Sequence, residues 1–488
     1  MPSSKLTRMS LIPRPLIPRP LIPRQLTPWL LFALGLLVHG LWALSIPVPV
    51  DWDPAYYREV AGNIVAGEGA VTHVSLLWGL SELGLPHVAD LHWSPVPSRI
   101  LVPGLWLWPA HGDQLITVLL AALWAPLAWV LSRNLNPESP KAALWAGLMA
   151  STGLGAARFL STPDSIAIAG VLGGGLFLAL LQERWSVAAL LLAAFALCRG
   201  EGFLLSGLIS LVLLFHRRLG PALLLGASGP LAWGLWQLRS WRAGGQAWLT
   251  LRQQVTVQLD YGAWVRGEPG VAWVGERVSF VLQALPGAAF AVLLASAIFL
   301  IPLALFRKRG QLPAAQALWL GLALLPPAVL VLAPAVAASG SVFRSVAVFL
   351  PMLAALAGGG LERAATLGTQ LRGYPKAFVV GLALLGVGLI SVGVGWGTLQ
   401  AKPSRAVICP QGPGPYLASD PLSLSDRCAV EAHLLPRGVN EQEARRYLDQ
   451  HPVNGAVLRA GDGLGLRPEE GERLLGWKAD PQGILRPN

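Results

Sequence analysis

Long apolar runs recur along the sequence, and they constrain the fold more than any other feature. A helix that crosses the hydrocarbon core of a bilayer needs about 17–25 mainly apolar residues. Eleven runs approach or reach this length, at residues 28–47, 114–132, 141–158, 164–181, 185–199, 201–216, 219–239, 279–306, 313–337, 343–360 and 377–397. The fifth and sixth are short and are separated only by the polar CRGEG, so they fit either half-spans or a tight hairpin. The sequence therefore predicts a polytopic α-helical membrane protein with about 11 transmembrane helices.

Charged residues are scarce and unevenly placed. They make up 13% of the chain, against about 25% in a typical soluble domain. With the N-terminus in the cytoplasm, the inside segments are rich in basic residues such as Arg133, Lys141, Arg217 and Arg218, and the outside loops hold far fewer. This asymmetry follows the positive-inside rule, and an odd number of spans then places the C-terminal tail outside. The net charge of +11 thus indicates membrane topology, and no nucleic-acid partner is expected.

Three regions follow from this topology. Residues 1–27 are predicted to be a disordered basic cytoplasmic arm, in which the prolines of the LIPRP repeats exclude helix. Residues 28–397 form the membrane domain, with a first external loop at 46–113 and a second large external loop at 240–278. Residues 398–488 are predicted to form a small external α/β domain, with EQEARRYLDQH as a helix and VNGAVLR as a strand.

The three cysteines divide by location. Cys409 and Cys428 both fall in the tail, on the oxidising side of the membrane, and are predicted to form a disulfide bond. Cys198 lies in an apolar run and is predicted to be a buried small side chain.

The stretch DWDPAYYREVAGNIVAGEG, residues 51–69, follows the first apolar run. Asp53 followed by Pro54 is typical of a helix start, with an acidic cap and a proline at the first helical position. The residues after them place an apolar face on the helix, which comprises Tyr57, Val60, Ala61, Ile64 and Val65. By itself this pattern indicates a capped amphipathic helix at the membrane surface with interfacial tyrosines.

The same stretch resembles a motif of a known enzyme family. Asp53-Pro-Ala-Tyr56-Tyr57, followed by VAGNI and GEG, is similar to the D-[DE]-A-Y-Y…A-R-N-[IL]…G-x-G pattern in the first external loop of GT-C glycosyltransferases. These include the protein O-mannosyltransferase and aminoarabinose transferase relatives in glycosyltransferase family 39. Three later segments resemble the family in the same order, namely PSRILVPGLWLWPAHGD at 97–113, LCRGEGFLL at 197–205 and SVFRSVAVFLPMLAALAGGGLE at 341–362. The resemblance covers roughly residues 28–397.

This resemblance implies the transfer of a hexosyl or pentosyl group, with inversion, from a polyprenyl-phosphate donor to an extracytoplasmic hydroxyl on a protein, lipid or glycan. It aligns the general base, which accepts the proton of the acceptor hydroxyl, with Asp53. The family's second acid is Pro54 here, so either Asp51 takes its role or the role is absent. Phosphate leaves without protonation when cations balance its charge, so arginines are expected in the other half of the site.

Arg344 and Arg199 are the candidates for binding the donor phosphate, because both lie at external ends of spans. Each has an alternative role. Arg199 stands two residues before Glu201 and fits an ion pair with it, and Arg344 fits snorkelling to the interface. Arg99 and Arg158 are weaker candidates on the same side.

Other polar residues are candidates for substrate binding. They are Tyr56, Tyr57, His92, Arg99, Asp164 and Glu201. Asp164 fits a helix cap equally well, since Ser161 and Thr162 beside it also suit a helix start. The indoles of Trp78 and Trp93 are further candidates for contact with a sugar.

The first loop also contains His73, His87, His92 and Asp90. Their spacing matches no compact metal-ligand pattern, so no cofactor is expected and a divalent metal is the disfavoured alternative. The same side chains equally suit contact with a sugar or an acceptor.

Two other functional classes share these features, namely a flippase of lipid-linked sugars and a non-catalytic scaffold for envelope assembly. Alternating access usually goes with internal repeats and paired broken spans, and the sequence shows no such symmetry. The expected location is the plasma membrane of a bacterium, with both the first loop and the tail outside.

Overall fold

The computed structural model describes much of the first half of the chain, one later helix and short parts of the tail. The described residues are 25–45, 52–75, 86–90, 93–153, 157–244, 348–372, 409–410, 415–418, 424–425, 428, 430–434, 445, 448–449, 453–458, 468–479 and 484–486. The predicted spans at 279–306, 313–337 and 377–397 lie outside these residues, as does the predicted basic arm up to residue 24.

Most described helices overlap the predicted apolar runs or the first loop, although the run at 114–132 is divided between two helices and the helix in the run at 343–360 continues to residue 372. In chain order they are α1 (Thr27–Ser45), α2 (Trp52–Val65), α3 (Pro95–Leu107), α4 (Gly112–Ala122), α5 (Trp124–Leu135), α6 (Pro140–Ser151), α7 (Ala157–Leu160), α8 (Ser165–Leu181), α9 (Trp185–Ala196), α10 (Glu201–Phe215), α11 (Leu219–Gly244) and α12 (Leu350–Arg372). In this part of the chain, Thr27–Ser45 and Gly112–Leu135 are long and apolar enough to cross a membrane. The polar CRGEG separates α9 from α10, so the fifth and sixth runs fold as two short helices.

Close helix packing in the membrane part depends on small residues. Trp124 is fully buried, and its Nε1 donates a hydrogen bond of 3.0 Å to the carbonyl oxygen of Ala167. A Cβ on Gly170 would lie 2.0 Å from the Trp124 ring, so the ring needs a glycine beneath it. A Cβ on Gly358 of α12 would likewise lie 2.3 Å from the carbonyl oxygen of Ala142 on α6. Small residues that let backbones approach in this way are typical of membrane bundles.

The first loop folds as α2, three short strands and α3. The strands are β1 (Val71–Thr72), β2 (Val74–Ser75) and β3 (His87–Val88), and β1 pairs with β3 in antiparallel orientation. The apolar face predicted for α2 is confirmed, because Tyr57, Val60 and Ala61 are buried. It packs with Leu101 and Leu105 of α3 in one cluster. The predicted start is wrong by two residues, since α2 begins at Trp52 rather than at Pro54, and Asp53 lies in its first turn instead of capping it.

The tail contributes to a six-stranded sheet. Its elements are β4 (Pro415–Ala418), β5 (Glu431–Leu434), β6 (Ala456–Val457), α13 (Pro468–Leu475), β7 (Lys478–Ala479) and β8 (Leu485–Arg486). The strand predicted in VNGAVLR is β6. Within the predicted helix EQEARRYLDQH, the described residues Arg445, Leu448 and Asp449 are helical. The predicted disulfide bond between Cys409 and Cys428 is confirmed, and Cys198 is buried as expected.

One strand of this sheet comes from the first loop. The strand order is β2-β5-β4-β6-β8-β7, and β2 pairs with β5 in parallel, with Val74 opposite Ala432 and Ser75 opposite His433. Two segments in one sheet lie on the same side of a membrane, so the first loop and the tail share one side. Which side this is stays a prediction.

Candidate functional site

The Asp53 carboxylate is held by an aromatic pair in the first loop. The Nε1–H group of Trp93 donates a hydrogen bond of 2.9 Å to Oδ1 of Asp53. The indole of Trp93 also stacks on the ring of Tyr56, with 4.2 Å between centroids and 22° between planes. The first turn of α2 brings Asp53 to this position, and the stacked rings restrict the direction of its carboxylate.

Asp90 holds Tyr56, one ring of the aromatic pair, by a hydrogen bond, and Arg99 holds Asp90 by an ion pair. The backbone N–H of Asp90 donates a hydrogen bond of 2.6 Å to the Tyr56 hydroxyl oxygen. Asp90 has φ of 64°, a left-handed conformation that aspartate tolerates better than most residues. Its carboxylate is buried and lies 2.5 Å from a guanidinium nitrogen of Arg99, which also donates to the carbonyl oxygen of Pro95 at 2.7 Å. Burial raises the pKa of Asp90, and the charge of Arg99 partly offsets that rise.

Tyr57 lies within electrostatic reach of charged residues from other parts of the chain. It is buried, and burial raises its pKa well above the ordinary value, an effect that the negative charges of Asp53 and Asp164 increase. The charge of Arg199 partly offsets it. Asp53, Asp164 and Arg199 therefore lie near enough to one phenol to act on it electrostatically.

Asp164 and Arg199 are joined through Ser165 at the start of α8. Asp164 is the N-cap of this helix, as one of the two sequence interpretations predicted. Its Oδ1 accepts hydrogen bonds from the backbone N–H of Ser165 at 2.5 Å and from the Ser165 hydroxyl at 2.9 Å. The guanidinium of Arg199 donates to the same hydroxyl oxygen at 2.8 Å. The cap thus also orients a cation.

The structure brings together some of the predicted site residues and not others. Asp53, Tyr57, Asp164 and Arg199 form one cluster. Tyr56 supports it through Trp93, and Arg99 is committed to Asp90. Several predicted residues or their side chains lie outside the described part, namely Asp51, His92, Arg344 and the side chains of Arg158 and Glu201. The proposed pairing of Arg199 with Glu201 is among the predictions that fall there.

Sequence reasoning missed the linking role of Ser165 and the hydrogen bond from Trp93 to Asp53. The expected contact of Trp93 with a sugar or an acceptor stays a prediction. Among the described residues, no group of three His, Cys, Asp or Glu side chains is placed to hold a metal ion.

An open, shallow cavity of about 440 Å³ lies on the surface of α11. Its described lining residues are Leu235, Leu238, Arg239 and Arg242. Arg239 also lies close enough to Asp90 to lower the pKa of that carboxyl. This open surface therefore combines apolar and cationic side chains next to the first loop.

Comparisons with known proteins identify the fold. No family model and no curated protein sequence matches this chain. The archaeal oligosaccharyltransferase AglB from Archaeoglobus fulgidus, in complex with an inhibitory peptide and a dolichol-phosphate, matches with a TM-score of 0.51 and 13% identity over 88% of this chain and 69% of that chain. ArnT from Cupriavidus metallidurans in the apo state matches with a TM-score of 0.51 and 12% identity over 94% of this chain and 96% of that chain. ArnT bound to undecaprenyl phosphate has a TM-score of 0.50 at 12% identity, over 87% of this chain and 88% of that chain. The chain therefore shares the fold of AglB and ArnT.

Proposed function

We propose that this protein is a membrane glycosyltransferase that moves a sugar from a polyprenyl-phosphate donor to an extracytoplasmic hydroxyl acceptor. The observation that carries the proposal is geometric: Trp93 orients the Asp53 carboxylate by a hydrogen bond, and Arg199 is held through Ser165 against the N-cap Asp164. A carboxylate of fixed direction and a held cation, both near enough to Tyr57 to shift its pKa, suit the two parts of such a reaction.

In the proposed mechanism, Asp53 is the general base. An acceptor hydroxyl is a poor nucleophile, and a carboxylate within hydrogen-bond reach takes its proton as the oxygen attacks the anomeric carbon. The new carbon–oxygen bond forms opposite the bond that breaks, so the anomeric configuration inverts. The bonding electrons leave with the phosphate oxygen, and the lipid departs as polyprenyl phosphate.

The cationic half of the mechanism is assigned to Arg199 and Arg344. Departing phosphate gains negative charge, and a guanidinium stabilises that charge most when it is already in place. The hydrogen bond from Arg199 to Ser165 gives it such a fixed position. Arg344 lies outside the described residues, and its role rests on the sequence resemblance.

Two further observations support a lipid-linked donor. AglB and ArnT have been solved with a dolichol-phosphate and with undecaprenyl phosphate, respectively. The cavity of Leu235, Leu238, Arg239 and Arg242 offers both apolar and cationic contacts, which an amphiphile with a phosphate head requires. Within the superfamily, the motif around Asp53 favours family 39, and we place the protein in the bacterial plasma membrane with the site outside.

The decisive experiment measures transfer by Asp53→Asn. Purified protein is supplied with polyprenyl-phosphate sugars, chosen by mass analysis of envelope glycans and lipid-linked sugars in a deletion strain. Loss of the base should cut turnover by about 10²-fold or more while donor affinity is nearly kept. Arg344→Ala should instead weaken donor binding and slow transfer together, and Glu68→Gln, an exposed carboxylate of the same loop, should change neither.

The same variants separate the competing functions. A flippase or a scaffold should keep its function in Asp53→Asn, because neither needs a general base. Wild-type transfer in Asp53→Asn, with loss in Asp51→Asn, would move the base by two residues. If neither substitution matters, the transferase proposal is wrong.

A further inference from the structure

Glu59 fastens the helix that carries Asp53 to the loop that follows it. Its Oε2 accepts a hydrogen bond of 3.0 Å from the Thr72 hydroxyl, and its Oε1 accepts one of 2.7 Å from the backbone N–H of His73. Asn63, one helical turn later on the same face, donates from Nδ2 to the carbonyl oxygen of Val71 at 2.9 Å. The segment 71–73 is therefore tied to α2 at three consecutive residues.

The same segment is bonded to the tail. The carbonyl oxygen of His73 accepts a hydrogen bond of 3.2 Å from the backbone N–H of Ala432 in β5. The next residue, Val74, begins the parallel pairing of β2 with β5. The two backbone groups of His73 thus reach in different directions, its N–H to Glu59 and its carbonyl oxygen to the tail.

We propose that Glu59 is a positioning residue that couples the C-terminal sheet to the helix carrying Asp53. The inference rests on the proposed function, in which Asp53 is the general base. Six residues separate Glu59 from Asp53 along one continuous helix, a rise of about 9 Å. A displacement of β5 is passed through His73 and the Glu59 carboxylate to this helix, so the position of the tail sheet sets the position of the base.

Glu68 provides a matched control, because it contacts the same residue without joining the two parts. Its Oε2 lies 2.9 Å from Nε2 of His73, and its side chain is 50% exposed. Glu68→Ala removes a carboxylate from His73 but leaves the backbone connection from α2 to β5 intact. Glu59→Gln is the conservative variant, since its amide oxygen can still accept one of the two hydrogen bonds.

The test uses the purified full-length protein and two readouts. Hydrogen exchange reports the backbone amides of residues 71–75 and 431–434, and steady-state kinetics reports turnover and the KM for the polyprenyl-phosphate sugar. Glu59→Ala should raise the exchange rate in both segments by about 10-fold or more. It should lower kcat by about 10-fold with little change in donor KM. Glu59→Gln should fall between this variant and the wild type, and Glu68→Ala should match the wild type in both readouts.

The two readouts distinguish failure of the coupling from failure of the proposed function. Unchanged exchange at 431–434 in Glu59→Ala would overturn the coupling, whether or not transfer is detected. Raised exchange with wild-type kcat would also overturn it, while leaving the glycosyltransferase proposal intact. An equal loss of kcat in Glu68→Ala would contradict the specific role of Glu59.

Discussion

Trp93 donates its indole N–H to the Asp53 carboxylate across 40 residues of sequence, at 2.9 Å. This hydrogen bond fixes the direction of the Asp53 side chain, which lies early in the first loop, through Trp93, which lies much later in the same loop. A base must point at the acceptor hydroxyl to accept its proton, so this hydrogen bond affects the chemistry and not only the fold.

Replacing Trp93 by Phe should therefore slow transfer more than it destabilises the protein. The phenyl ring keeps part of the stacking surface for Tyr56, while the hydrogen bond to the carboxylate is lost completely. Such bonds contribute about 1.5–3 kcal/mol, which corresponds to about 10- to 100-fold in kcat if the whole effect falls on the transition state. Steady-state rates and thermal unfolding in detergent measure the two effects.

Trp106→Phe is the control for this prediction, since Trp106 is 73% exposed on the neighbouring helix α3. Its kcat should equal that of the wild type. A Trp93→Phe variant with normal kcat would mean that Asp53 is oriented by other contacts.

Tyr57→Phe should lower transfer by the same factor in mildly acidic and mildly alkaline buffer. Burial and the charges of Asp53 and Asp164 raise the Tyr57 pKa, so this phenol keeps its proton below its ordinary pKa of about 10. Its hydroxyl thus stays protonated throughout and can donate a hydrogen bond to a bound substrate; losing a bond of this kind costs about 1 kcal/mol, or about five-fold. Rates of wild type and variant between about pH 6 and about pH 9 test this. A ratio that falls as the pH rises would show that Tyr57 titrates within that range.

The sequence was informative where the signal is local. Apolar runs predicted the helices of the described membrane part, and the spacing of Tyr57, Val60 and Ala61 predicted the buried face of α2, because both depend on the period of a single helix. The disulfide followed from the compartment of two cysteines in the tail.

Contacts between distant residues were not predictable in this way. The Arg199 guanidinium meets the Ser165 hydroxyl across 34 positions, and a serine after an aspartate signals a helix start and nothing more. The strand β2 is two residues long, so no alternation marks it as a partner for β5 in the tail. Both relationships arise from packing of separate elements.

Ser165→Ala should raise the donor KM by several-fold with a smaller effect on kcat. The substitution removes the hydroxyl that links Asp164 to Arg199, while the backbone N–H of Ser165 still caps onto Asp164. Arg199 then loses a hydrogen bond that orients its guanidinium and contributes about 1 kcal/mol. The guanidinium must instead be ordered when the donor phosphate binds, so donor binding becomes weaker. Initial rates at varied donor concentration give both constants. Ser210→Ala, whose hydroxyl bonds Ala222 between α10 and α11, should be neutral. An unchanged KM in Ser165→Ala would remove Arg199 from the donor site.

The first loop and the tail should both be accessible from outside the membrane. The basic residues of the inside segments favour this orientation, and the pairing of β2 with β5 requires that the two regions share one side. Single cysteines at Ser81 and Ser423 can be labelled with an impermeant thiol reagent in intact spheroplasts. The wild-type background should be low, because Cys198 is buried and Cys409 and Cys428 are bridged.

Glu138→Cys, between α5 and α6, supplies the opposite control, since Arg133 and Lys141 flank this loop and predict a cytoplasmic location. It should react only after the membrane is permeabilised, whereas Ser81→Cys and Ser423→Cys should react in intact cells. Protection of both of the latter would reverse the topology and place the proposed site in the cytoplasm. Labelling of one without the other would contradict the shared sheet, because a parallel strand pair cannot form across a bilayer.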